Sequence, residues 1–143
     1  MMKLACYWSI LALRNIPNME EKRRKLIVLA EDSKSIREAV VFGLEEHGFE
    51  VYDAEDGKLA LAIFDGRKVD LLLTDYHMPN MNGLELIKNV RSDERYQCVP
   101  ILVLTTENRK DLILETKRAG ATGWVVKPFK VDKLLQTIHR IMR

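Results

Sequence analysis

Cysteine is nearly absent from this chain: only Cys6 and Cys98 occur in 143 residues. Two thiols so far apart fit no zinc spacing and no Cys-X-X-Cys redox pair. Cys98 precedes an apolar run and reads as a packing residue, and a reducing compartment is expected. There are three histidines, none at metal-ligand spacing with a cysteine. A long apolar run is also missing. The stretch over residues 4–13 is too short to span a bilayer. It has Lys3 before it, as a secretory signal would, but no small-x-small cleavage site follows. A dominant charge is lacking too, since the net charge is only +2. Residues 1–25 hold six Lys/Arg and two Asp/Glu, which leaves 17 basic and 19 acidic residues for 26–143. The body is therefore slightly acidic and has no basic stripe for nucleic acid. The run Lys22-Arg23-Arg24-Lys25 reads as a solvated flank. No internal repeat or low-complexity stretch is present.

What is there is the composition of one globular domain, with 47% hydrophobic and 31% charged residues. Composition changes abruptly after Pro17, and a second methionine stands at Met19. The division expected is an N-terminal extension over 1–25 and a domain over 26–143. The natural start is expected at Met19, with 1–18 as upstream sequence. If that segment is native, Trp8, Ile10 and Leu11 are expected to form a short helix on the body or on a partner.

From Leu26 the pattern alternates. Leu26-Ile27-Val28-Leu29-Ala30 is continuously apolar, as a strand buried on both faces requires. Ile36, Val40, Val41 and Leu44 mark a helix that stops at Gly48. Phe49-Glu50-Val51-Tyr52 reads as a half-buried strand. Leu59, Ile63 and Phe64 mark a second helix ending at Gly66. Leu71-Leu72-Leu73-Thr74 and Ile101-Leu102-Val103-Leu104 are again fully apolar strands. Between them lie a loop with Pro79 and Gly83 and a helix carrying Leu84, Ile87 and Val90. A less apolar helix runs from about Lys110 to Ala119. Trp124-Val125-Val126 is the fifth strand. Val131, Leu134, Leu135, Ile138 and Met142 recur at helical spacing. Five strands alternating with five helices predict an α/β fold with a parallel sheet covered on both faces. Ligands of such sheets sit beyond the carboxyl ends of the strands.

Those ends carry the chemistry. Glu31-Asp32 follow the first strand, Asp75 ends the third, Thr105 ends the fourth, and Lys127-Pro128 follow the fifth. Taken singly, each has a plainer reading: Asp32-Ser33 as a helix cap, Thr105 as the cap of the fourth helix. Together they place three acids, a hydroxyl and an ammonium on one rim. Clustered carboxylates repel unless a cation sits among them. Oxygen donors of this kind favour Mg²⁺ or Mn²⁺. A carboxylate beside such a metal can attack phosphorus to give an acyl phosphate. A nearby ammonium and hydroxyl can then hold the transferred oxygens. A cis bond at Lys127-Pro128 is expected, aiming the Lys127 ammonium back over the rim.

The chain resembles a response-regulator receiver domain, of the single-domain chemotaxis (CheY-like) type. The matching stretches are 26–33 (LIVLAEDS), 75–83 (DYHMPNMNG), 100–107 (PILVLTTE) and 119–129 (AGATGWVVKPF). The resemblance implies a flavodoxin-like sheet of order 2-1-3-4-5. It implies that Asp75 is the phosphoacceptor. Asp32 would touch the metal directly, Glu31 through water, and His77 through its backbone carbonyl. Thr105 matches the switch hydroxyl, Lys127 the phosphoryl-binding lysine and Trp124 the switch aromatic. Four positions depart from the usual pattern. Glu31 replaces an aspartate, Asn82 takes a position often acidic, Thr106 replaces a small residue, and Trp124 exceeds the usual Tyr, Phe or His. A buried indole also needs a partner for its N–H.

The expected partners are a sensor histidine kinase and a target protein. The target would be engaged through the fourth helix, fifth strand and fifth helix. Neither nucleic acid nor membrane is expected, and the protein is expected to be a cytoplasmic monomer or weak dimer. It would catalyse only its own phosphorylation and dephosphorylation, with His77 and Glu107 tuning the latter. No effector stretch follows Arg143, so the output expected is a protein contact, first of all in chemotaxis. The alternatives are a phosphorelay intermediate and a phosphorylation-independent interaction module. A metal-dependent phosphatase would need an acid where His77 stands. A flavodoxin-like cofactor binder would need a Gly/Ser/Thr-rich first loop where Glu31-Asp32 stand.

Overall fold

The computed structural model describes residues 23–106 and 108–142. The expectations for residues 1–22 of the extension, for the start at Met19, for a helix with Trp8 and for Glu107 lie outside the described residues. In chain order the elements are β1 (Leu26–Ala30), α1 (Lys34–Glu46), β2 (Glu50–Ala54), α2 (Gly57–Ile63) and β3 (Leu71–Asp75). They continue with α3 (Gly83–Ser92), a 3₁₀ turn (Glu94–Tyr96), β4 (Ile101–Thr105), α4 (Lys110–Ala119), β5 (Gly123–Val126) and α5 (Val131–Ile141). The strands form one parallel sheet in the order β2-β1-β3-β4-β5. Fold class and strand order are those expected.

The pleat divides the apolar residues into two layers. Val28, Ala30, Leu72, Ile101 and Val103 face Ala60 of α2, Phe64 just after it, and Leu86, Ile87 and Val90 of α3. Ile27, Leu29, Leu71, Leu73, Leu102 and Leu104 face Val40 and Leu44 of α1, and Leu134, Leu135 and Ile138 of α5. Every residue of β1, β3 and β4 is buried. Central strands covered on both sides can be apolar at every position, which is why they read as unbroken runs. β2 is an edge strand with Glu50, Tyr52 and Asp53 exposed.

The helix ends follow local rules. Ser33 caps α1 and Asp56 caps α2. Asn82 and Glu85 make a reciprocal capping box at α3. Gly120 closes α4 at φ +119°, where a side chain is strained. The last turn of α4 is also held from α3: Arg91 donates from Nε (3.2 Å) and Nη2 (2.8 Å) to the Gly120 carbonyl, and from Nη1 to that of Tyr96 (2.8 Å). At the other end, Arg109 gives α4 no side-chain cap. Below β1, Arg23 grips Asp70 with two bonds of 3.0 and 2.9 Å. Among the described residues no helix is long and apolar enough to cross a membrane. Cys98 is exposed, not packed into the core; the other cysteine, Cys6, lies outside the described residues.

Candidate functional site

Glu31 prolongs β1 by one residue, its N–H donating to the Ala54 carbonyl at 3.0 Å. Asp75 is the last residue of β3. Lys127 follows β5, and its N–H donates to the Thr105 carbonyl at 2.8 Å. The Lys127–Pro128 bond is cis, as expected. Lys127 Nζ donates to Asp75 Oδ2 at 3.0 Å and also pairs with Glu31 Oε1. Side-chain exposures of 10% for Lys127, 0% for Glu31 and 11% for Asp75 mean that water does little to screen this triad. The remaining oxygens are also engaged: Ser33 N–H donates to Glu31 Oε2 at 3.2 Å and Tyr76 N–H to Asp75 Oδ1 at 2.8 Å.

One ammonium thus serves two buried carboxylates. Burial pushes the Glu31 carboxyl up to about 7; the hydrogen bond from Lys127 opposes this and the Asp75 charge reinforces it. Burial works against the charge of Lys127, but its bonds to Glu31 and Asp75 prevail and raise it above the usual lysine value. The Glu31 shift has a sign that can be measured. Between its ordinary value of 4.5 and about 7, the folded protein keeps a proton that the unfolded chain has released. The resulting stability is complete below pH 4.5 and is lost as the pH rises through about 7. In urea unfolding without divalent ions, wild type is expected to lose stability relative to Glu31→Gln across that window. The slope is at most about 1.4 kcal/mol per pH unit. A difference independent of pH contradicts the assignment.

Asp32 is exposed, and its carboxylate has no hydrogen bond or ion pair among the described residues. Ser33, not Asp32, caps α1, accepting from Ile36 N–H at 3.5 Å. The capping reading therefore does not explain Asp32. Nor does it explain Thr105, which is buried four residues ahead of the α4 cap position. Oxygens of Glu31, Asp32 and Asp75 lie within 4.8 Å of one another. With all three ionised and Lys127 protonated, two negative charges are in excess, which matches one dication. The donors are all hard oxygens, the set that suits Mg²⁺ or Mn²⁺.

The loop after β3 is held close. A Cβ on Gly83 would lie 2.2 Å from the Asp75 carbonyl oxygen, so only glycine lets the chain return here. Asn80 takes φ +68° and donates from Nδ2 to Asp56 Oδ2 at 2.8 Å. Asn82, at the position often acidic, caps α3 through Glu85 N–H at 2.8 Å. His77 is exposed, with its ring edge-on to Tyr76 at 4.7 Å between centroids. It borders an open depression with Asp32, Met78, Pro79 and Asn82. On the other flank, Thr105 lines a narrow cleft with Tyr76, Leu112, Ile113, Thr116 and Trp124. Trp124 is half-buried, and no buried side-chain nitrogen or oxygen among the described residues lacks a partner. Its indole N–H is thus not sealed in unsatisfied.

Three contributors escape a reading of the sequence. Arg37 donates from Nη1 to the Glu31 carbonyl at 2.8 Å and pairs through Nε with Asp53 Oδ2 at 3.1 Å. Asp56 holds the loop through Asn80. All look like ordinary polar surface positions, and only the folded arrangement brings them to the rim.

Residues 27–139 match the family described as response regulator receiver domain. The chemotaxis protein CheY of Pseudomonas aeruginosa is 37% identical over 116 residues, covering 80% of this chain and 94% of that protein. Chemotaxis protein CheY-3 of Vibrio cholerae is 34% identical over 116 residues, covering 80% and 89%. The solved structure of Vibrio cholerae CheY4 superposes with a TM-score of 0.80 at 41% identity, over 83% of this chain and 99% of that one. The receiver domain of sensor histidine kinase PA1611 from Pseudomonas aeruginosa gives 0.77 at 25% identity, over 84% and 98%. That structure has a magnesium ion coordinated in its active site cleft.

Proposed function

The chain belongs to the response regulator receiver domain family, and on that premise we propose that it is a cytoplasmic switch taking a phosphoryl group onto Asp75 from a histidine kinase. One observation carries this reading. A buried carboxylate at a strand end has an ammonium 3.0 Å from one oxygen and two further acids within 4.8 Å. CheY-like members are signalling proteins, not conventional enzymes, and the chemistry proposed is confined to the protein's own aspartate.

The Asp75 carboxylate attacks the phosphorus of a phosphohistidine. An O–P bond forms, the P–N bond breaks, and the imidazole, already protonated on its other ring nitrogen, leaves as the neutral ring. Glu31, Asp32, Asp75 and the His77 backbone carbonyl are the groups proposed to hold Mg²⁺. The ion, when bound, offsets negative charge on the acids and on the incoming phosphoryl oxygens. Lys127 holds the transferred group by its ammonium, and the Thr105 hydroxyl turns toward it. That turn changes the wall of the cleft that Thr105 shares with Trp124 and α4, biasing a two-state equilibrium. The surface of α4, β5 and α5, with Trp124 at its centre, carries the output. Exposed Leu114 (44%) and Val126 (54%) give that surface its apolar contacts. Chemotaxis is the setting proposed, in keeping with the relatives, and the protein acts as a monomer or weak dimer over residues 26–143.

Labelling by a small acyl phosphate donor, followed by intact mass, tests the reading. One added phosphoryl group is expected with Mg²⁺, and none after chelation. Undiminished labelling in the presence of excess chelator sinks the metal-assisted mechanism.

A further inference from the structure

We infer that Arg37 is a positioning residue for the divalent-cation site, acting on Asp32 through the Glu31–Asp32 peptide. This rests on the metal-site reading above. Asp32 is the one acid of the three whose carboxylate is tied to nothing among the described residues. Only its main chain can place it. That main chain leaves β1 through Glu31, and both backbone groups of Glu31 are bound. Its N–H goes to the Ala54 carbonyl at 3.0 Å and its C=O receives Arg37 Nη1 at 2.8 Å. A peptide unit is planar, so fixing the Glu31 carbonyl fixes the direction of the Asp32 N–H and Cα.

The guanidinium is itself braced. Its Nε pairs with Asp53 Oδ2 at 3.1 Å, and Asp53 precedes Ala54 on β2. The first turn of α1, the end of β1 and the end of β2 thus form one closed circuit: Arg37, Glu31, Ala54, Asp53 and back to Arg37. A guanidinium offers the carbonyl and the carboxylate separate donors in a fixed planar fork, a geometry that an ammonium lacks. Asp53 has a second effect. It offsets a cation that is bonded to the main chain of Glu31 and would otherwise repel a metal ion. Arg37 keeps 15% of its side chain exposed, so its charge is incompletely screened by water.

The test is Mn²⁺ affinity of the full chain, read by electron paramagnetic resonance as free ion, in parallel with thermal unfolding. Arg37→Met is expected to weaken binding about tenfold, the usual scale for a group that orients a metal ligand. Asp53→Asn, which unmasks the guanidinium, is expected to weaken binding several-fold at low salt and less at high salt. Asp32→Asn is the control. If Asp32→Asn binds as wild type does, the metal-site reading fails and takes the Arg37 role with it. If Asp32→Asn is defective while Arg37→Met and Asp53→Asn fold and bind like wild type, the role of Arg37 alone is overturned. Should Arg37→Met not fold, Asp53→Asn decides by the same criterion.

Discussion

Replacing Asp75 with asparagine is expected to abolish phosphoryl uptake altogether. The amide oxygen is a far weaker nucleophile than a carboxylate, and an acyl phosphate cannot form on it without losing the amide. No neighbour can substitute. Glu31 is committed to Lys127 and to Ser33 N–H, and Asp32 lies outside the buried pocket. The fold itself should tolerate the change. Two carboxylates share one ammonium, so removing Asp75 leaves Glu31 and Lys127 as a balanced pair. Without divalent ions, thermal stability at pH 8 is expected to be equal to wild type or higher, because a buried like-charge contact is relieved. Mass spectrometry after exposure to a small acyl phosphate donor should show one added phosphoryl group on wild type and none on the variant. Labelling of the variant would remove Asp75 from the role.

Lys127→Met should have the largest effect on stability. It leaves two buried carboxylates facing each other with no ammonium between them. Stripping one partner from a buried ion pair costs about 3–5 kcal/mol. The cleft opens toward exposed Asp32, which favours the lower end. A loss of about 3 kcal/mol lowers the melting temperature by about 10 °C in a chain of this size. The loss is expected at pH 8 without divalent ions. It should shrink as the pH falls below about 7, where Glu31 takes up a proton. Melting curves at pH 8 and pH 5 check this. An unchanged melting temperature at pH 8 would show that the triad contributes nothing to the fold.

How much of this was legible beforehand depended on whether an element answered to its own residues or to distant ones. β1, β3 and β4 are buried on both faces, so their apolar runs mark them out. β2 is harder. Its span is Glu50–Ala54, whereas alternation points to Phe49–Tyr52. Phe49 donates its N–H to the Leu44 carbonyl and closes α1 instead of entering the strand. α2 begins at Gly57 under the Asp56 cap and stops at Ile63, leaving Phe64 to pack edge-on against Tyr96 at 5.0 Å. The rim was legible as a set of strand-end residues, because parallel topology sends every strand end to the same side. The division of labour within it was not. That Lys127 bridges Glu31 and Asp75 while Asp32 stays apart depends on contacts across 96 and 52 residues of chain. Arg37 and Asp56 act through backbone and loop contacts that leave no trace in spacing.

The fastening of α4 is lopsided, and that has a mechanical meaning. Its far end is bolted to α3 by Arg91 and finished by Gly120, while the end that follows Thr105 and Thr106 has no side-chain cap hydrogen bond among the described residues. A push delivered where β4 runs out would reach the less firmly capped end first, with Gly120 at the anchored end. α4 is hung like a door, and the tug of a phosphoryl group on Thr105 would be applied at the handle.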